Sequence, residues 1–181
     1  RAQRAHRQAE ARLQPGDRVM GAFFQRWLDG PFDLDAAVSS ALGGALDGML
    51  CEYVVLDEAG LVKTPESLGY DEASTLPCAG VTAWVALREL ASIGPDDTVL
   101  VMGTGGVSLF ALQLAKRAGA SVVLTSSSDE KLARGKRLGA DHVINYRTTP
   151  RWGAMARELT RGRGVDHLIE VGGAGTLPQS L

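Results

Sequence analysis

The sequence has few cysteines, no long apolar run and no excess of charge of one sign, and each shortage excludes a class of protein. Its only cysteines, Cys51 and Cys78, provide neither a disulfide framework nor a Cys-x-x-Cys zinc clip, which favours a reducing, cytoplasmic environment. No apolar stretch is long enough to cross a bilayer, and no signal-peptide pattern is recognised. A formal net charge of −2 argues against nucleic acid or an anionic membrane as a partner.

The composition is that of a globular protein with a large share of glycine. The 181 residues are 45% hydrophobic and 22% charged, and 22 of them are glycine. Many glycines stand in short clusters, which favours close approach of the backbone to a ligand. Because the first residue is Arg1 rather than methionine, we expect a fragment or a processed product. Residues 1–14 are basic and poor in large apolar groups, which predicts a solvated helix or a disordered lead-in.

The pattern of apolar residues divides the rest of the chain into a β-rich part, residues 15–70, and an α/β part, residues 71–181. In the first part, residues 51–56 predict a strand because they are β-branched and aromatic. In the second part, strands alternate with helices, which predicts βαβ units and a parallel sheet. The predicted strands are residues 98–102, 121–124, 141–145 and 165–171, and the predicted helices are residues 79–90, 107–118, 129–138 and 154–160.

The strongest chemical signal is a glycine-rich turn between a predicted strand and a predicted helix. The strand runs directly into the sequence GTGGVS, residues 103–108. Gly103 allows a sharp turn, and Gly105 removes a side chain so that the backbone can approach a diphosphate, which would face the unpaired N–H groups of the helix start. Ser108 stands where the dinucleotide-binding fingerprint has its third glycine, and it is small enough for close packing. The alternative is a tight glycine turn with a different ligand or none.

The residues after the second strand of the α/β part indicate which dinucleotide is bound. An NAD site usually has an acidic residue here, which binds the adenosine ribose. This chain has hydroxyl groups at residues 125–128 and Lys131 just beyond, and these suit a 2′-phosphate. Asp129 is the acidic exception, but the spacing of Ser127 and Glu130 predicts a capping box that places Asp129 in the first helical turn, where the helix dipole explains it. NADP(H) is therefore favoured over NAD(H), although Lys131 is equally well explained as a solvated helix residue.

Longer stretches around these motifs resemble the medium-chain dehydrogenase/reductase superfamily, the group of zinc alcohol dehydrogenases and zinc-free quinone oxidoreductases. The stretches are VLVMGTGGVSLFALQLAK, TSSSDEKLARGKRLGADHVINY and GRGVDHLIEVGGAGT, with GDRV, EYVVL and LPCAGVTAW upstream. The resemblance implies that residues 71–181 supply the first four strands of a Rossmann-type parallel sheet. It implies that residues 15–70 are the C-terminal part of a GroES-like β-barrel catalytic domain. It also implies that the first half of the barrel and the last strands of the sheet lie outside this chain.

The same resemblance assigns roles to single residues. It places the diphosphate on the glycine turn, the nicotinamide side near Thr82, and the nicotinamide ribose against Val171 and Gly172, where the order of the strands reverses. The adenosine ribose and its phosphate would contact hydroxyl groups, one lysine and one tyrosine. The candidate cofactor-binding residues are Thr82, Gly103, Thr104, Gly105, Gly106, Val107, Ser108, Ser126, Ser127, Lys131, Tyr146, Val171 and Gly172.

The sequence gives little support for zinc. By resemblance, Cys78 stands where zinc-dependent members have one catalytic ligand, but an open catalytic zinc site needs three protein ligands. The four-cysteine structural zinc loop is absent, and the context of His6 does not match the Gly-His-Glu pattern of zinc members. We therefore interpret Cys78 as a buried thiol, and His142 and His167 as structural residues of strands. We expect no metal.

The resemblance predicts an NADP(H)-dependent oxidoreductase that passes hydride between nicotinamide and a small alcohol, carbonyl, enone or quinone in a cleft between two domains. No Ser/His/Asp constellation identifies a proton donor, so the catalytic residues are unknown. The aromatic stretch at residues 23–27 either lines that cleft or belongs to the barrel core. We expect a homodimer or homotetramer for the parent protein and poor turnover by this chain alone. The alternative is a non-catalytic dinucleotide-binding module or an inactive truncated product.

Overall fold

The computed structural model describes residues 12–181, so His6 and most of the basic lead-in lie outside the described residues. The chain divides into two compact units, Arg1–Cys78 and Ala79–Leu181. The sequence places a domain boundary between residues 70 and 71, and the assignment of the two parts to family domains stays a prediction. Among residues 12–181 no helix has both the length and the apolar character that crossing a membrane requires.

The first unit contains little regular structure. Strands β1 (Val19–Gly21) and β2 (Leu61–Lys63) pair antiparallel. Along the chain, helix α1 (Leu34–Val38) comes between these two strands, and helix α2 (Tyr70–Ala73) follows β2. The predicted β-rich character of residues 15–70 is therefore limited, in the part of the chain that the structure describes, to one short pair of strands and two isolated β-bridges.

An aromatic cluster lies within this unit. The ring centroids of Phe24 and Trp27 are 6.1 Å apart, and the Trp27 ring stands edge-on to Phe32 at 5.0 Å. Phe23 contacts Phe24 at 4.7 Å. The aromatic residues of the 23–27 stretch thus pack on one another.

Residues 51–56 do not form the strand that their composition predicts. They are irregular chain, and Tyr53 and Val55 are 92% and 98% exposed. A strand forms only where a second strand offers hydrogen-bonding groups. Among the described residues, β1 and β2 pair with each other alone. The prediction is wrong because β propensity measures how well a side chain fits an existing sheet, not a preference of the isolated backbone.

The second unit is built on a parallel sheet of four strands. They are β3 (Thr98–Val101), β4 (Ser121–Ser126), β5 (His142–Asn145) and β6 (His167–Ile169), and their order across the sheet is β5-β4-β3-β6. Strand β4 pairs with β3, and β5 pairs with the far side of β4. Strand β6 then pairs with the opposite side of β3. The sequence order therefore reverses between β3 and β6, and ligands of open α/β sheets bind at such a reversal, outside the carboxyl ends of the strands.

Helices connect successive strands, as predicted. They are α4 (Gly106–Arg117), α5 (Asp129–Arg137) and α6 (Trp152–Leu159), and α7 (Leu177–Ser180) follows β6. A helical segment also precedes the sheet: α3 (Val81–Trp84) is flanked by wider π-helical turns at Leu76–Gly80 and Val85–Leu90. This agrees with the predicted helix at residues 79–90.

The core has two layers, one on each face of the sheet. Val99 and Val101 of β3 are fully buried on one face, where they pack in a cluster with α4 residues such as Leu112. Leu100, between them in sequence, points to the other face and packs with Trp152 of α6. Both faces of β3 are covered, which explains why this strand is a continuous apolar run rather than an alternating one.

Candidate functional site

The turn of residues 103–105 carries the chain from β3 into α4. Gly103 has a φ of +72°, a left-handed conformation that strains any residue with a Cβ. Its N–H donates to Thr125 Oγ1 at 3.3 Å, and the Ser108 hydroxyl donates to the Met102 carbonyl at 2.7 Å. The turn is therefore anchored to β4 on one side and to the first turn of α4 on the other.

The start of α4 presents bare backbone. Gly105 is the N-cap, and within residues 12–181 no side chain caps this end of the helix. The Leu109 N–H is the one that donates to the Gly105 carbonyl, at 2.9 Å. The N–H groups of residues 106–108 therefore have no intrahelical acceptor, and they carry the positive end of the dipole of a twelve-residue helix. A Cβ on Gly105 would meet none of the described atoms within 4 Å. This open, electropositive backbone fits an anion.

Gly106 packs closely against the helical segment that precedes the sheet. A Cβ on Gly106 would lie 3.1 Å from the Cβ of Ala79, which is closer than ordinary contact allows. Thr82, predicted to lie on the nicotinamide side, is three residues further along this helical segment and is exposed. Ser108 is 2% exposed, so the small residue at the third fingerprint position is buried, as close packing requires.

The predicted adenosine-side residues gather at the carboxyl ends of β4 and β5. The Tyr146 N–H donates to the Ser126 carbonyl at 3.1 Å, which brings these two residues together. Tyr146 is 41% exposed, Lys131 is exposed and Ser127 is half-buried. Ser126 is buried, and its hydroxyl accepts a hydrogen bond from the Ser128 N–H at 3.4 Å. The phosphate-reading roles of Ser126, Ser127 and Lys131 stay predictions, and of these three residues Ser126 is the buried one.

Helix α5 begins at Asp129, as predicted, but its cap lies one residue later than the serine of the predicted capping box. Ser128, not Ser127, is the N-cap, and its hydroxyl accepts from the Lys131 N–H at 3.3 Å. The shift occurs because β4 continues to Ser126, two residues beyond the predicted end of the strand. Asp129 nevertheless lies in the first turn, as predicted.

Asp129 has a side-chain partner that the sequence did not reveal. The Asn145 Nδ2 donates to Asp129 Oδ1 at 2.7 Å. Asn145 is the last residue of β5, so the neighbouring strand holds this carboxylate. One acceptor oxygen that would otherwise be available to a ribose hydroxyl is engaged by the amide.

The segment after β6 lies at the reversal of the sheet. Val171 and Gly172, predicted to contact the nicotinamide ribose, are exposed. Glu170 precedes them, and its carboxylate accepts from the N–H groups of Gly172 and Gly173 and from the hydroxyls of Thr176 and Ser180. Burial raises the pKa of Glu170, but these hydrogen bonds outweigh it, so the pKa lies below the usual value and the group is ionised at neutral pH.

Cys78 is exposed, which corrects its interpretation as a buried thiol. It lies in the wide helical turn Leu76–Gly80, which has no buried residue. His142 and His167 lie on β5 and β6 and are half-buried. Among residues 12–181 no three His, Cys, Asp or Glu side chains come together as a metal site, so the described residues do not fit a zinc ion. The absence of zinc from the protein stays a prediction.

Sequence reasoning missed three residues of this site, Thr125, Glu170 and Asn145, the last of which holds Asp129. Thr125 is 1% exposed and anchors the glycine turn, and Glu170 anchors the segment after β6. The contacts of Glu170 are local in sequence, because its carboxylate accepts from the N–H groups two and three residues further along the chain. Thr125 gave no separate signal, since its role depends on the register of two strands that are distant in sequence.

Comparison with known proteins places this geometry in a family. Residues 106–181 match the family model of the zinc-binding dehydrogenases. A zinc-type alcohol dehydrogenase-like protein of Schizosaccharomyces pombe is 52% identical over 171 residues, which are 93% of this chain and 49% of the relative.

Solved structures agree with these sequence matches. A crystal structure assigned as an alcohol dehydrogenase of Sinorhizobium meliloti 1021 is 51% identical, covers 93% of this chain and 50% of its own, and has a TM-score of 0.86. The crystal structure of an NAD-dependent alcohol dehydrogenase is 41% identical, with 77% and 40% covered and a TM-score of 0.71. The chain spans about half the length of the relatives it matches. On the parallel sheet, the glycine turn and these matches, the chain belongs to the medium-chain dehydrogenase/reductase superfamily.

Proposed function

We propose that this chain binds NADP(H), and that the protein to which it belongs transfers hydride between nicotinamide and a small alcohol, carbonyl, enone or quinone. The observation that carries the proposal is the bare N-terminus of α4, which lies at the reversal of the sheet order beside β3. The dinucleotide supplies the hydride chemistry when bound, and the residues of the chain bind and orient it. The relatives are alcohol dehydrogenase-like oxidoreductases, which supports the reaction class.

Each part of the proposed site has a separate task. The N–H groups of residues 106–108, with Thr104 beside them, hold the diphosphate, because the charge of an anion is stabilised by the helix dipole and by unpaired donors. Thr125 and Ser108 keep that backbone fixed before binding, so little ordering is required when the ligand arrives. Val171, Gly172 and Thr82 receive the nicotinamide half. No proton donor is assigned.

The preference for NADP(H) over NAD(H) is supported by the adenosine side. Lys131 and Ser127 offer a cation and a hydroxyl to a 2′-phosphate, and Asp129, the acid that would suit a free ribose, is held by Asn145. Known structures include both types: the NAD-dependent enzyme above and a mycobacterial protein complexed with NADPH, which is 34% identical with a TM-score of 0.62.

The proposal is tested by fluorescence titration of the chain with NADPH and NADH. Lys131→Ala removes the proposed partner of the 2′-phosphate. It is expected to lower the affinity for NADPH by about tenfold or more, since a charge-assisted hydrogen bond contributes roughly 1.5–3 kcal/mol. The affinity for NADH, which lacks the phosphate, is expected to change by less than about twofold.

Lys136→Ala is the matched control, because it removes the same charge from the same helix, where Lys136 instead donates to the Asp141 carbonyl. This variant should leave both dinucleotides unaffected. Equal losses for NADPH and NADH in Lys131→Ala would refute the phosphate-reading role. Failure of the unmodified chain to bind either dinucleotide would refute the proposed function itself.

Location and assembly are also proposals. Cys51 and Cys78 are both free thiols, which fits a cytoplasmic location. We propose a homodimer or homotetramer for the longer protein, without nucleic acid or membrane as a partner. Binding of NADPH by a longer protein that transfers no hydride to any alcohol, carbonyl, enone or quinone would favour a non-catalytic dinucleotide-binding module.

A further inference from the structure

The segment after β6 consists of residues that give the backbone little stiffness of its own. Its sequence is Val-Gly-Gly-Ala-Gly at residues 171–175, and all five are exposed. Gly173 has a φ of +82°, and glycine loses more conformational freedom on ordering than any other residue. A shape that receives a ligand here must therefore be imposed by contacts from outside the segment.

Glu170 supplies those contacts through a single carboxylate. Its Oε1 accepts from the Gly172 N–H at 2.6 Å, from the Gly173 N–H at 3.1 Å and from the Thr176 hydroxyl at 2.8 Å. Its Oε2 accepts from the Ser180 hydroxyl. One side chain thus ties the glycine pair at the start of the segment to both ends of α7.

The same network reaches the glycine turn. The Met102 N–H donates to the Ile169 carbonyl at 3.4 Å, and the Ser180 Oγ lies 4.0 Å from the Met102 Sδ. Met102 directly precedes Gly103. The two segments proposed to hold the dinucleotide, one after β3 and one after β6, are therefore connected through Glu170 and its neighbours.

We propose that Glu170 is a positioning residue that holds the backbone of residues 171–173 in the shape that receives the nicotinamide half of the dinucleotide. The inference rests on the proposed function, and it deepens that function by assigning a role to a residue outside the predicted set. Both carboxylate oxygens are engaged by the protein, so Glu170 acts through the backbone of the segment and does not itself need to touch the cofactor. Its effect should fall on the nicotinamide half alone.

This selectivity defines the experiment. The affinity of the 181-residue chain is measured for NADPH and for 2′,5′-ADP, which carries the adenosine half but no nicotinamide. Glu170→Gln replaces the ionised acceptor by a neutral amide. We expect the affinity for NADPH to fall about tenfold, because hydrogen bonds to an ionised acceptor are roughly twice as strong as neutral ones. The affinity for 2′,5′-ADP should stay within about twofold.

Two further variants and one control keep the test usable even if Glu170→Gln does not fold. Thr176→Val and Ser180→Ala each remove one donor and leave the carboxylate in place, so a smaller loss of about threefold is expected, again for NADPH only. Glu158→Gln removes an exposed carboxylate from α6 of the same unit and should change neither affinity. Thermal unfolding confirms that each variant is folded.

The outcomes separate the alternatives. An equal loss of affinity for NADPH and for 2′,5′-ADP would mean that Glu170 stabilises the whole second unit. That result would overturn the positioning role. Unchanged NADPH affinity in Glu170→Gln, or in both donor variants if that one does not fold, would overturn it as well. An unmodified chain that binds neither ligand would instead contradict the proposed function, and the inference would fall with it.

Discussion

Two glycines of the same turn are required for different physical reasons. Gly103 is required for its conformation, because a φ of +72° places a Cβ against the backbone. Gly105 has ordinary dihedral angles, with φ −78° and ψ −178°, and a Cβ there would meet none of the described atoms within 4 Å. The described residues leave room for a side chain at Gly105, and the proposed diphosphate site would need that room.

This difference predicts a variant that folds but binds poorly. Gly105→Ala should lower the free energy of unfolding by less than about 1 kcal/mol, the usual difference between glycine and alanine at an N-cap. Its methyl group would occupy the position of the diphosphate, so we expect NADPH affinity to fall more than about tenfold, as measured by titration. Gly103→Ala should instead lower the free energy of unfolding, measured in urea, by about 1–2 kcal/mol. Normal NADPH binding by Gly105→Ala would show that the space serves another purpose.

Two carboxylates have equivalent positions at the amino-terminal edge of the sheet. Asp141 precedes β5 and accepts from the Val122 N–H of β4 at 2.7 Å, and Asp166 precedes β6 and accepts from the Thr98 N–H of β3 at 2.7 Å. Each also pairs with a cation, Lys116 for Asp141 and Arg163 for Asp166. Each carboxylate thus fixes its own strand to the neighbouring one before the ladder begins.

The pKa shifts of these acids predict how stability depends on pH. Burial raises the pKa of Asp141, but the Lys116 and Val122 hydrogen bonds outweigh it, and the Arg163 and Thr98 hydrogen bonds lower the pKa of Asp166. A carboxyl with a lowered folded-state pKa stabilises the fold above its unfolded pKa of about 4. That contribution disappears as pH falls through the folded-state value. The free energy of unfolding in urea should therefore decrease below about pH 4.

Asp141→Asn isolates one of these contributions. We expect about 1 kcal/mol lower stability at pH 7 and a shallower decrease in acid, because the amide does not titrate. Asp71→Asn, at an exposed position of α2, is the control for removing a carboxylate elsewhere. An acid profile that is unchanged by Asp141→Asn would contradict the role of this pair.

At the scale of elements, sequence reasoning succeeded where the signal is local. Apolar periodicity located all four strands and the intervening helices of the second unit, because both faces of this sheet are buried and its strands are apolar runs. It failed at residues 51–56, where strand formation depends on a partner strand. It also named the wrong capping serine for α5, which the length of β4 decides, although the helix begins at Asp129 as predicted.

At the scale of the whole chain, the candidate site was predictable in part. The glycine turn was readable because its chemistry lies within six consecutive residues of one βα junction. Thr125 and Asn145 were not assigned, because each acts through a contact that exists only after the strands have been ordered as β5-β4-β3-β6. Predicting them requires the topology as well as the sequence. Glu170 was not assigned either, although its partners lie within ten residues of it in sequence.

A crystal structure of this chain with NADPH tests the central claim most directly. We predict diphosphate oxygens at hydrogen-bonding distance, roughly 2.7–3.2 Å, from the N–H groups of residues 106–108, with the nicotinamide end toward Val171 and Gly172. A dinucleotide bound elsewhere, with the N-terminus of α4 left without an anion, would contradict the account.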